Sequence, residues 1–135
     1  GVFSVLVDGD DHEEPIADSI RGTLDGHIVL DRAIAEQGRY PAIDVLRSIS
    51  RLAPKVWTQE QENLVHSLRA MIARYEEGRE LRMLGGHKPG VEPLVDQAVQ
   101  LVPIVYDALR QSQADGPCPD AFAAIAAALS ASAVK

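Results

Sequence analysis

The sequence has 135 residues, 46% of them apolar and 24% charged, the balance of one folded domain with its own core. A formal net charge of -7 argues against nonspecific nucleic-acid binding, which needs a basic surface to displace counterions from phosphate. The single cysteine, Cys118, has no partner for an internal disulfide and fits a reducing cytosol, and no apolar run approaches the roughly 20 residues that span a bilayer, the longest being Ala121 to Leu129.

Acidic residues crowd the beginning of the chain: residues 1–40 hold nine Asp and Glu against three Arg, whereas residues 41–135 hold eleven acids against ten bases. Val2 to Val7 is a nearly continuous apolar, β-branched run, which predicts a strand covered on both faces in a parallel sheet. The chain opens on Gly1 rather than methionine and enters this run at once, so it reads as a piece of a longer protein. Gly9, Asp10, Asp11, Glu13 and Glu14 predict an acidic loop, and Pro15 suits the first turn of a helix with Ile16, Ile20 and Leu24 on one face. Gly26 is expected to end that helix, His27 to Leu30 to form a second short strand, and Asp31 to cap a helix over Arg32 to Gln37. Strands alternating with helices indicate an α/β domain, but two strands make no stable sheet alone, so residues 1–50 are expected to be poorly self-sufficient.

From Pro54 the pattern is helical throughout. Thr58 with Gln61 forms a capping box, and Leu64, Val65, Leu68, Met71, Ile72 and Tyr75 recur at the spacing of one helix face. Gly85-Gly86 is the expected stop, and the connector Gly86 to Gly90 leads to a second amphipathic helix over residues 91–109, which Pro103 should kink. Asp115-Gly116-Pro117-Cys118-Pro119 breaks it, and Phe122, Ile125, Ala126 and Leu129 mark a small last helix. The fold class is therefore mainly α: a helical bundle of about three helices over residues 54–135, preceded over residues 1–53 by the last strands and helices of an incomplete α/β domain.

Two residues between these parts could carry chemistry. Pro41 restricts Tyr40 to extended backbone, so the ring is held by the chain; on residue chemistry alone it is either packed core material, the commoner outcome, or a ligand platform. Arg51 is either a solvated arginine, a partner for Asp44, or a guanidinium offered to developing phosphate charge. His12, His27, His66 and His87 show no zinc-like spacing with the lone cysteine, so no metal site is assigned. A phosphate-binding Gly-x-x-x-x-Gly-Lys-Ser/Thr loop is absent, since none of Lys55, Lys88 and Lys135 follows a glycine. This chain alone is not expected to hydrolyse ATP.

The run Leu24-Asp25-Gly26-His27-Ile28-Val29-Leu30, then Tyr40-Pro41-Ala42-Ile43-Asp44-Val45-Leu46, then Ser48-Ile49-Ser50-Arg51, closely resembles the end of the nucleotide-binding domain in the rotary ATPase family, above all its flagellar and type III secretion export ATPases. The resemblance extends through Val5-Leu6-Val7-Asp8-Gly9-Asp10-Asp11 and Leu84-Gly85-Gly86-His87-Lys88-Pro89-Gly90 and covers about residues 2–110. It implies a RecA-like domain, truncated here, joined to a C-terminal helical domain, with ATP and Mg2+ bound mainly by preceding parts of the intact protein. It further implies that Tyr40 stacks on adenine and that Arg51 is a catalytic finger offered to a neighbouring subunit's nucleotide. Rotary synthase catalytic subunits add phenylalanines after the second bundle helix, where Gln111-Ser112-Gln113-Ala114 offers no aromatic.

The same resemblance implies a cytoplasmic homohexamer that couples ATP hydrolysis to protein export, peripheral to the membrane export gate. Its partners would be a coiled-coil stalk protein facing Asp10 to Glu14 and Gly85 to Gly90, export chaperones and cargo, with no nucleic acid. The alternatives are a partner-binding helical module that docks a stalk protein or chaperone, and a virulence-type rather than flagellar secretion ATPase. A noncatalytic synthase subunit is disfavoured by Gly26-His27-Ile28-Val29.

Overall fold

The computed structural model describes residues 1–6, 15–86 and 88–132. The acidic loop Asp10 to Glu14, Val7 and His87 lie outside them. Among the described residues no helix is long and apolar enough to cross a membrane.

Of the expected opening strand, Val2 to Val7, residues 1–6 are described; they form no strand and pair with nothing among the described residues, and Val2, Phe3 and Leu6 are exposed. An apolar run records the need for cover, but a strand exists only where a neighbour takes its backbone groups. The first helix, α1 (Pro15–Thr23), begins at the expected proline. It ends before Gly26, which instead opens β1 (Gly26–Leu30). A Cβ on Gly26 would stand 2.6 Å from the Ile49 carbonyl oxygen, so the close approach of a second strand requires glycine there. Asp31 caps α2 (Arg32–Glu36) as expected, its Oδ1 accepting the Ala33 N–H at 2.7 Å.

The second strand, β2 (Ile43–Ser50), is absent from the sequence reading, and it pairs antiparallel with β1 rather than parallel. The Asp31 N–H donates to the Ala42 carbonyl at one end of this ladder and the Arg51 N–H to the Asp25 carbonyl at the other. Between them the register slips: His27 faces Ile49 and Val29 faces Asp44, so Val45 to Ser48 bulge opposite Ile28. Asp44 Oδ1 accepts the N–H groups of Leu46 and Arg47 at 2.9 and 3.0 Å. Ser48 Oγ donates to the Asp44 carbonyl at 2.6 Å and accepts from the Val29 N–H at 3.0 Å, which repairs the interrupted ladder.

The helical part begins with α3 (Ala53–Val56), then α4 (Gln59–Glu77), α5 (Arg79–Met83), α6 (Pro93–Ala108) and α7 (Ala121–Ser132). Both halves of the Thr58–Gln61 capping box are made. The α4 stop falls at Gly78 instead of Gly85-Gly86, because one further turn, α5, intervenes before Gly85 takes a left-handed φ of 73°. Helix α6 runs unbroken across Pro103, whose missing N–H forfeits one backbone bond.

The core is built as the 3.6-residue spacing requires. Leu68 and Ile72 of α4 meet Ala98, Val102 and Val105 of α6, all buried, with Ile125 and Leu129 of α7 closing one side and Val45 and Leu46 of β2 another. Trp57 meets Phe122 edge to face at 5.7 Å and fastens the entry of α4 to α7. The bundle thus grips the bulged strand that leads to Arg51.

Candidate functional site

The antiparallel hairpin places Tyr40 and Arg51 at opposite ends of β2. Ile43 and Ser50 face Leu30 and Gly26, four residue steps apart on β1, which at about 3.3 Å each puts the two ends on the order of 13 Å apart. They therefore belong to different surroundings and are taken separately.

Tyr40 follows α2, whose end is set by Gly38 at φ 70°. The Tyr40–Pro41 peptide is cis, and the Tyr40 carbonyl accepts the Gln111 N–H at 3.0 Å. The segment after α6 thus stands beside Tyr40, where the rotary family resemblance puts the second wall of a base pocket. The Tyr40 side chain, 56% exposed, edges an open hollow of about 170 Å³ whose floor is Ile43, Val45 and Leu109 and whose rim includes Arg110 and Gln111. That volume is below the roughly 300 Å³ of a pocket for a drug-sized ligand. The segment after α6 contributes Arg110 and Gln111 to the lining.

Behind Tyr40 lies a charged aromatic cluster that the sequence reading missed. The Arg39 guanidinium sits 3.6 Å from the centroid of the Tyr106 ring and 3.8 Å from Glu76 Oε1. The Tyr106 hydroxyl donates to that same Glu76 oxygen at 2.6 Å. Burial pushes the Tyr106 phenol well above its ordinary pKa; the hydrogen bond to Glu76 and that carboxylate's charge push the same way, against the opposing pull of Arg39. Tyr75 meets Tyr106 edge to face at 6.3 Å, and Arg82 covers the Tyr75 ring at 4.2 Å. The loop after α2, the end of α4 with α5, and α6 supply this cluster, so no local spacing announces it; the only cue is Arg39 next to the Tyr-Pro pair.

Arg51 is exposed, and its guanidinium makes no hydrogen bond or ion pair among the described residues. The pairing with Asp44 that the sequence left open does not form, because Asp44 is engaged with the bulge backbone. What fixes Arg51 is its own N–H on the Asp25 carbonyl at 2.7 Å. The side chain is therefore aimed outward from the end of a well-held strand.

The hairpin, with Tyr40 before one end of β2 and Arg51 after the other, is bound to a helical bundle. Residues 1–50 match the profile of the ATP synthase alpha/beta family, nucleotide-binding domain, and residues 57–130 match that of the T3SS EscN ATPase C-terminal domain. The chain belongs to this family of flagellar and type III secretion ATPases, to whose C-terminal part it corresponds. It is 56% identical over 128 residues to the flagellum-specific ATP synthase of Agrobacterium fabrum, covering 95% of this chain and 27% of that relative. The assembled ATPase EscN of enteropathogenic E. coli superposes with a TM-score of 0.85 at 31% identity, over 93% of this chain and 31% of that one. EscN in complex with its central stalk EscO gives 0.77 at 31% identity, over 85% and 29%. The chain thus spans between a quarter and a third of these proteins.

Proposed function

We propose that the intact protein is a hexameric, cytoplasmic ATPase that couples ATP hydrolysis to protein export at the flagellar or type III apparatus, and that this chain is its C-terminal portion. The division falls at residues 53 and 54, with a RecA-like ending before it and the helical domain after; the two family profiles, which meet between residues 50 and 57, support this. Tyr40 stacks on the adenine of the subunit's own nucleotide. Arg51 reaches the γ-phosphate of the neighbour's, where a permanently charged planar guanidinium stabilises the charge that spreads over the transferring group. ATP would supply the reacting phosphoryl group and Mg2+ would offset its charge, both bound mainly by preceding parts of the intact protein. The observation that carries the proposal is the separation of the two residues along β2, with Arg51 outward and unengaged.

The assembled state of EscN and its complex with a central stalk support a homohexamer around a stalk protein for the intact protein here. Export chaperones, cargo and the membrane gate complete its partners, and the 56% identical flagellar relative favours a flagellar role.

The test is Arg51→Ala in the intact hexamer. It should leave most nucleotide affinity and slow hydrolysis by about 10³-fold, with lysine a poor substitute. Mixing this variant with one altered in the phosphate-binding loop should restore activity, since an intact loop on one subunit then meets an intact Arg51 on the next. No restoration, with both variants assembling, would end the in-trans assignment.

A further inference from the structure

Arg69 lies on α4, in the helical bundle, yet its guanidinium is committed to the hairpin. Nη1 donates to the carbonyls of Val45 and of Ser48, the latter at 3.3 Å, and Nη2 donates to the Leu46 carbonyl at 2.7 Å. No carboxylate competes for it among the described residues. All three acceptors belong to the bulge, where the slipped register takes β2 out of its ladder and leaves carbonyls without strand partners. A planar fork with several donors can gather such acceptors at once; a lysine ammonium is a point charge without that geometry.

The position of this contact matters more than its strength. The bulge is the segment between the Tyr40 hollow and Arg51: Val45 lines the hollow, while Ser48 is followed by the pairs His27 with Ile49 and Gly26 with Ser50 that deliver Arg51. The hydrogen bonds of Asp44 and Ser48 hold the bulge from within the hairpin. Among the described residues, Arg69 alone of the side chains hydrogen-bonded to it comes from the bundle.

We propose that Arg69 is a positioning residue for the neighbour's reaction: by clamping the bulge it sets the angle at which the last pairs of β2 present Arg51. This rests on the reading of Arg51 as a finger given in trans. Arg69 touches no nucleotide. Its loss should therefore lower turnover with little change in nucleotide KM, by about 10- to 100-fold, the scale on which a misplacement of about 1 Å acts.

The experiment uses mixed hexamers of the intact ATPase. An Arg69→Met subunit keeps its own nucleotide site and presents a misaimed finger. It should regain activity when mixed with a subunit altered in the phosphate-binding loop, whose Arg51 is sound, and none when mixed with Arg51→Ala. The reverse pattern, rescue by Arg51→Ala, or equal failure with both partners in hexamers that assemble, would overturn the proposal, because the damage would then lie in the subunit's own site or fold. If Arg69→Met does not assemble, Arg69→Lys decides. Reduced turnover with the same one-sided rescue supports the clamp, and wild-type turnover refutes it. Should Arg51→Ala itself show no in-trans complementation, the finger reading fails first; if it complements and Arg69 variants donate normally, only the present inference fails.

Discussion

The helical bundle and the hairpin use apolar residues in opposite ways. Leu68, Ile72, Ala98, Val102 and Val105 are buried against one another within the bundle, whereas the hairpin buries Val29 and leaves Ile28, Leu30 and Ile49 exposed. The bundle closes its own core, and the hairpin adds to its own ladder the hydrogen bonds of Arg69 and the packing of Val45 and Leu46 on that core. The lesson is that the two candidate functional residues stand at the ends of the less self-sufficient part, held in place by the more self-sufficient one.

The largest effect that would sharpen this contrast is a pair of truncations. Ile72→Ala should cost about 2–5 kcal/mol of stability, the usual penalty for emptying a buried site, while Ile28→Ala, at 70% exposure in β1, should cost less than about 1 kcal/mol. Urea unfolding of the chain measures both, and equal losses would break the contrast. Next comes Tyr40→Ala, which should leave the unfolding midpoint almost unchanged and weaken ATP in the intact enzyme by the stacking energy, about 1–3 kcal/mol by analogy with base stacking on aromatics. Tyr40→Phe should bind as the parent does, and equal affinities for all three in a binding titration would return the ring to a packing role.

The smallest effect lies at the junction. Tyr106→Phe removes the hydroxyl that donates to Glu76 and should cost about 1–2 kcal/mol at neutral pH. The folded chain holds the Tyr106 proton more tightly than the unfolded chain does, so this stabilisation is complete below the ordinary tyrosine value of about 10 and declines as pH rises beyond it. Unfolding at about pH 8 and pH 11 should show the parent losing part of its advantage over Tyr106→Phe; a constant difference would mean that the phenol titrates normally.

The bundle was legible because its signals are local. The capping box needs only Thr58 and Gln61, and the faces of α4 and α6 repeat within a few turns. Strand β2 was not, because its bulge breaks the two-residue alternation: Val45 and Leu46 are adjacent, and both pack toward the helices. The run over Val2 to Val7 is the opposite case, carrying the marks of a strand while residues 1–6 find no partner among the described residues. Tyr40 and Arg51 are singled out by motif resemblance alone, and nothing in the sequence places Gln111 against the Tyr40 carbonyl. Arg39, Arg69, Glu76 and Tyr106 had no such signal, since their roles depend on helices and a hairpin meeting in space.

The bond from the Gln111 amide to the Tyr40 carbonyl has a mechanical side. With Arg39 lodged on Tyr106, the loop is attached to α6 and its tail on both sides of the Tyr40 ring, once through the preceding side chain and once through the residue's own carbonyl. One such attachment would be a swivel; two make a lever. A rotation of α6 that keeps both would turn the Tyr40 backbone with it, so torque applied to the bundle would arrive at that loop as a change of tilt rather than be lost in slack chain.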